Sequence, residues 1–183
     1  MKTIFKERLS EKEIIEGCIN GSQAAMEKLF SIYNRKLKGL AYRYARNTSD
    51  QDDILQEGFI KIFLNIKTFN FEGSFEGWCK RIVINTAINH YKKFLKYNVE
   101  VNYEMVNESE MNAVALADNL DTDELIFLIN KLPDKYRLII QLFAIDGYSH
   151  KEIAQMLKIE ESSSSSQYSR AKKMLVSLIN QNQ

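Results

Sequence analysis

Apolar residues recur along this chain at spacings of three and four, the period of an α-helix with one buried face. Leu55, Phe59, Ile62, Phe63 and Ile66 form one such stripe, and Ile84, Ala87, Ile88, Tyr91 and Leu95 form a second. Ile153, Ala154 and Leu157 make a short third stripe, and Tyr168, Ala171, Leu175 and Leu178 a fourth. The pattern predicts helices over Ser10 to Ile19, Ser22 to Asn47, Ser49 to Lys67 and Ser74 to Tyr97, each opened by a Ser with N-cap potential. Four more are expected over Thr122 to Asn130, Pro133 to Asp146, Ser149 to Leu157 and Ser162 to Ile179. Gly147 stops one helix and Ser149, with Glu152 three residues on, caps the next, which is how a helix-turn-helix begins.

Composition agrees with an all-α reading, because 183 residues with one Pro, seven Gly and 45% apolar content can fill helical cores. Charge then divides the chain. Between Trp78 and Tyr97 stand Lys80, Arg81, Lys92, Lys93 and Lys96 with no acidic residue, whereas Asn98 to Asn130 carries acidic residues and no Lys or Arg. The first block suits a polyanion and the second a solvated tether. We therefore expect two small helical domains, residues 8–97 and 121–183, joined by a flexible acidic linker over 98–120, the C-terminal domain containing the helix-turn-helix. No run of 18 apolar residues occurs and the start lacks the apolar stretch of a signal peptide, so a cytoplasmic protein is expected. Cys18 and Cys79 stand alone and read as buried thiols; no metal site or cofactor is expected.

Three surfaces carry candidate chemistry. Asp53, Gln56, Glu57 and Lys61 share the side of their helix opposite its apolar stripe, a charged face suited to another protein's basic helices or simply to water. A metal-dependent nuclease built on Asp50, Asp52, Asp53 and Glu57 is the weaker reading, since no other acidic residue has a reason to converge there. On the following helix Arg81, Asn85, Asn89, Lys92 and Lys96 lie opposite the apolar stripe, joining cations for phosphate with amides for bases. Phe71, Phe75 and Trp78 stand at its entrance, suited to unstacked bases of a single strand, although such aromatics also serve as core. In the last helix Ser163, Ser166, Gln167, Arg170 and Lys173 face outward, where a DNA major groove could receive them.

In order along the chain come Asp50-x-x-Asp53-Ile54-Leu55-Gln56-Glu57-x-Phe59, Phe75-x-x-Trp78-x-x-Arg81-Ile82-x-x-Asn85-x-x-x-Asn89, Leu132-Pro133-x-x-x-Arg137, Gly147-Tyr148-Ser149-x-x-Glu152-Ile153-Ala154 and Ser166-Gln167-x-Ser169-Arg170-Ala171. In this order they resemble the extracytoplasmic-function (ECF) sigma factors of the sigma-70 family. The resemblance implies a bacterial transcription initiation subunit made of sigma domains 2 and 4, without a catalytic site or small-molecule substrate. By that likeness Asp53, Gln56, Glu57 and Phe59 would grip core RNA polymerase. The loop with Phe71, Phe75 and Trp78, together with Arg81, Asn85, Asn89 and Lys92, would capture the non-template strand of the minus-ten element. Ser162, Ser163, Ser165, Ser166, Gln167, Arg170 and Lys173 would meet the minus-thirty-five duplex. An anti-sigma factor, membrane-embedded in many relatives, is the implied inhibitor. The rival is a helix-turn-helix regulator that binds DNA without polymerase, which leaves the Asp53 surface and the aromatic loop unexplained.

Two departures from the family pattern stand out. Lys158 occupies the turn where the family usually has Gly, and the run Ser162 to Ser166 replaces a stretch in which relatives often carry a Lys. A Ser in that place predicts weaker, less salt-sensitive DNA contact and a less helical first turn.

Overall fold

The computed structural model describes residues 9–97 and 122–181, all of whose regular structure is helical. The chain falls into two compact units that divide between Ala87 and Ile88. The expected acidic linker lies outside the described residues.

In the first unit α1 (Glu11–Ile19), α2 (Gln23–Tyr44), α3 (Thr48–Asn65) and the start of α4 (Phe75–Tyr97) surround one core. Ser10 opens α1 with a full capping box to Glu13, and Ser22 accepts the backbone N–H of Ala25 at the start of α2. Ser74 does the same for Gly77 at the head of α4. The third cap differs from expectation: Asn47, not Ser49, opens α3, its side-chain oxygen accepting the Asp50 N–H at 2.9 Å. The shift places the Asp50 carboxylate against the backbone N–H and guanidinium of Arg46, at 3.1 and 3.3 Å.

Leu29, Tyr33, Leu37, Leu40 and Ala41 form the buried stripe of α2. Each fully buried Leu contributes about 1.5–3 kcal/mol. Ile54, Leu55, Phe59 and Ile62 of α3 face it. The Tyr33 hydroxyl donates to Glu11, and burial followed by that carboxylate pushes its pKa upward. Gly58 matters for packing: a β-carbon there would stand 3.0 Å from Cγ2 of Val83, so α3 and α4 meet backbone to side chain. Lys36 and Lys80 both pair with Glu76, at 2.5 and 2.8 Å, tying the head of α4 to α2 and holding the Glu76 carboxyl below its usual range.

The second unit contains α5 (Thr122–Asn130), α6 (Asp134–Ile140), α7 (His150–Leu157) and α8 (Glu161–Gln181). Ile129, Leu132, Tyr136, Ile140 and Ala171 form its core, with Leu125, Tyr168, Met174, Leu175 and Leu178 against it. Pro133 sits just before α6 as its cap residue, not within its first turn. The helix expected through Asp146 instead widens into a π turn over Gln141–Ile145, in which Asp146 N–H reaches the Gln141 carbonyl at 2.9 Å. Gly147 then leaves the helix at φ 77°, a left-handed conformation open to a residue without Cβ.

Candidate functional site

On α3, Asp53 and Gln56 project into solvent and Glu57 is half-buried. These three lie on one face, as the spacing predicted. Phe59 does not join them: it is 4% exposed, packed against Phe30 at 4.6 Å and stacked on Phe63 at 6.1 Å between centroids. Its expected place on a docking surface is corrected to one in the core, because it stands on the apolar side of α3, two residues beyond Glu57 and so about 160° from it around the 3.6-residue turn.

Three of the four carboxylates of α3 are directed to separate cations. Asp50 pairs with Arg46 at 3.3 Å, Asp52 with Lys38 at 3.7 Å, and Glu57 with Lys61 at 2.6 Å. Among the described residues no group of three His, Cys, Asp or Glu is placed to hold a metal ion. The nuclease reading thus lacks a converging carboxylate set.

The loop between α3 and α4 gathers an aromatic cluster. Phe69 lies 5.3 Å from Phe71, 5.0 Å from Phe75 and 5.8 Å from Trp78, and Phe75 stacks on Trp78 at 5.5 Å. Three roles separate within it. Phe75 is 1% exposed and belongs to the core, which corrects its assignment to a base-stacking surface. Trp78 is half-buried, one side on Phe75. Phe71 is 43% exposed and holds φ 61°, a left-handed backbone that costs a side-chain-bearing residue on the order of 1–2 kcal/mol. The Lys12 ammonium sits 5.9 Å from its ring centre. Phe69 was not singled out in the sequence, and its place at the centre of the cluster has no signal there beyond its aromatic character.

Along α4, Arg81, Asn85 and Asn89 are exposed at four-residue intervals and make one outer row, with Lys92 half-buried beyond them. The Lys96 side chain lies outside the described ones. Thr86, between the two amide positions, is wholly buried; its hydroxyl donates to the Ile82 carbonyl at 2.9 Å and accepts from Lys61 at 3.2 Å.

The helix-turn-helix forms from α7 and α8. Ser149 and Glu152 complete a capping box, and Lys158 closes α7 at φ 60°, ψ 48°, the left-handed position where Gly was expected by family pattern. On α8, Ser162, Ser165, Ser166, Arg170 and Lys173 are exposed, while Ser163 and Gln167 are half-buried. Ser164 is the serine the sequence did not single out: it has no exposed surface and bonds the ring of His150. Its spacing of four from Tyr168 and seven from Ala171 is the signal that would have found it.

With this geometry in hand, the comparisons are consistent in both halves. Residues 29–94 match the Sigma-70 region 2 family, and residues 122–175 match the Sigma-70, region 4 family. The chain is 32% identical over 170 residues to the ECF RNA polymerase sigma factor SigW of Bacillus subtilis, covering 87% of this chain and 88% of the relative. It is 28% identical to the ECF RNA polymerase sigma-E factor of Haemophilus influenzae, covering 92% and 95%. Among solved structures, its fold is similar to that of the sigma factor RpoE of Bartonella quintana, with a TM-score of 0.52 at 17% identity and coverage of 84% and 96%. CnrH gives a TM-score of 0.50 at 21% identity, covering 93% and 97%. The chain belongs to the ECF sigma factors of RNA polymerase, within the sigma-70 family, and functions in transcription initiation.

Proposed function

We propose that this sigma factor divides its work among three surfaces. Asp53, Gln56 and Glu57 on α3 dock on core RNA polymerase. Phe71, the exposed side of Trp78, and Arg81, Asn85, Asn89 and Lys92 on α4 hold the melted non-template strand of the minus-ten element. Ser162, Ser163, Ser165, Ser166, Gln167, Arg170 and Lys173 on α8 face the major groove of the minus-thirty-five element. In this reading residues 8–97 act as sigma domain 2 and residues 121–183 as sigma domain 4, tethered by residues 98–120. Phe59 and Phe75 support these surfaces from beneath.

The observation that carries the proposal is the outer row of α4. An arginine and two amides stand clear of the core at the spacing of one helical face, and the loop that leads into the same helix carries an exposed aromatic held in a left-handed backbone. Cations supply affinity for phosphate, amides read base edges, and an exposed ring stacks an unpaired base. Such a device binds and positions DNA without making or breaking bonds. The protein accordingly needs no catalytic residue, cofactor or small-molecule substrate of its own, and it works where polymerase and promoter are, in the cytoplasm. The RpoE structure contains the anti-sigma factor NepR and the CnrH structure the cytosolic domain of CnrY; an anti-sigma partner is proposed here on that likeness. A regulator acting without polymerase is not favoured, because the family match spans region 2 as well as the helix-turn-helix.

Promoter-specific run-off transcription with purified core polymerase tests the assignment. Asn85→Ala with Asn89→Ala should reduce initiation on the order of tenfold or more, as expected for losing two base contacts of about 1 kcal/mol or more each. Affinity for core polymerase should be unchanged. Full initiation by the double variant would remove α4 from strand recognition.

A further inference from the structure

Between the docking face of α3 and the DNA-facing helix α4 runs one continuous polar chain. The Lys61 ammonium lies 2.6 Å from Oε1 of Glu57 and donates to the Thr86 hydroxyl at 3.2 Å, and that hydroxyl donates to the Ile82 carbonyl at 2.9 Å. The Thr86 end is wholly buried. Side chains of Lys61 and Glu57 retain about a third of their exposure, 33% and 35%, so the pair is partly shielded from solvent. Lys61 lies one turn beyond Gly58 and Thr86 one turn beyond Val83, and the close contact of Gly58 with Val83 brings the ammonium within reach of the hydroxyl.

A long, flexible lysine ordinarily gains little from pairing with a glutamate four residues earlier, because holding both side chains still costs rotamer entropy. Here the far side of the ammonium is anchored on α4, which removes much of that freedom before any partner arrives. The carboxylate is thereby held at a defined place on the face it shares with Asp53 and Gln56. Preordering a contact group in its bound position raises affinity by removing an ordering cost on association.

We propose that Lys61 is a positioning residue for core-polymerase docking: anchored on Thr86 of α4, it holds the Glu57 carboxylate in its binding orientation and makes no required contact with polymerase itself. This rests on the reading of Glu57 as a docking residue. It assigns to Lys61 and Thr86 a role that neither would have as a surface charge and a core hydroxyl.

The test is a double-mutant cycle on the full-length protein, with affinity for purified core polymerase measured by fluorescence anisotropy and folding checked by circular dichroism. Glu57→Gln should weaken binding, and Lys61→Met should weaken it about fivefold, the scale of one pre-ordered side chain. The double variant should bind no more weakly than Glu57→Gln alone, because Lys61 acts only through the carboxylate. Lys61→Arg should recover part of the loss. Thr86→Val, close in shape and lacking the hydroxyl, should reproduce the Lys61→Met effect in milder form and serves as the reporter if Lys61→Met fails to fold. Unchanged affinity in Glu57→Gln would defeat the docking reading itself. A loss in Glu57→Gln with none in folded Lys61→Met or Thr86→Val would overturn the positioning role, as would additive losses in the double variant.

Discussion

The Oγ of Ser164 stands 3.0 Å from Nδ1 of His150, and the His150 ring lies flat on Phe143, 4.1 Å between centroids at 8°. Three elements meet in this contact: the π turn through Phe143, the first residue of α7 and the second turn of α8. Tyr168 closes the group 4.5 Å from Phe143. The start of α8 is therefore tied to the start of α7 by a serine, buried where a helix's inner face usually carries an apolar residue.

Replacing that serine should be costly in a way that its neighbours are not. Ser164→Ala should lower stability by about 1 kcal/mol, the usual loss for a buried hydrogen bond. Ser164→Leu should lose more, because the site has no exposed surface to expand into. Ser165→Ala, on the exposed side, should stay within about 0.5 kcal/mol of the parent. Urea unfolding followed by circular dichroism separates the three, and equal stabilities would show that the His150 contact contributes nothing.

Ser165→Lys should strengthen binding to a minus-thirty-five duplex and steepen its salt dependence by roughly one phosphate contact. The new cation would stand on the exposed side of α8 with Arg170 and Lys173, leaving Ala171 and the rest of the core untouched. Anisotropy across a salt series is the measurement. A folded variant with the parent's affinity and slope would turn this side of α8 away from DNA.

Lys158 holds a left-handed backbone at φ 60° without a glycine's freedom. Lys158→Gly should raise stability by about 0.5–1 kcal/mol, the relief of a Cβ clash less the extra entropy of glycine in the unfolded chain. Lys158→Ile should be destabilising, since branching at Cβ makes the same conformation worse. A thermal unfolding series decides the order, which must run Gly, Lys, Ile.

Charge reversal at Asp53 and Glu57 together should weaken core-polymerase binding by about 1–3 kcal/mol while leaving the helical signal intact. The loss should shrink with added salt as exposed charges are screened. If the doubly reversed protein competes for core polymerase as well as the parent, the docking face lies elsewhere.

Cys79 offers a pH test of the core. Burial, followed by the nearby carboxylates of Glu11 and Glu76, pushes its thiol from the ordinary 9.0 to about 12. A thiol raised in the folded state contributes its full share below the unfolded pKa. That share is lost as pH climbs from about 9 towards 12, because only the unfolded chain ionises freely there. Alkylation at pH 8 should therefore be slow in the native protein and fast in denaturant, and stability should fall through this alkaline window. Rapid native-state alkylation of Cys79 would contradict the burial.

Much of the helical framework is legible in the sequence because its determinants are local. Ser10, Ser22, Ser74 and Ser149 cap where a reader of the sequence places them, and the starts of α1, α2, α4 and α7 follow. Asn47 and Ser49 are near-equal caps by residue type, and the Arg46–Asp50 pair that accompanies the Asn47 cap exists only once the turn has formed. Phe59 joins the docking surface only through the family motif, and its helical offset already puts it in the apolar stripe; Phe75 reads as a stacking residue because a loop aromatic beside basic residues looks the same in sequence whether its ring is buried or open. The π turn has no counterpart in hydrophobic period, since one extra residue in a turn alters the spacing of a single step. Ser164 hid inside a run of identical residues, where composition suggests a tether and only position reveals a core site.

Gly58 lends itself to a misreading in any mutational scan. A methyl group there would stand 3.0 Å from Cγ2 of Val83, itself wholly buried, so that either this side chain gives way or α3 and α4 move apart, in neither case through a residue of the proposed binding surfaces. Both faces of this half of the molecule share one spacer, a hydrogen atom wide. Gly58→Ala would then lower core binding and promoter opening together, and the pairing of the two defects would report a change of geometry, not the loss of either contact.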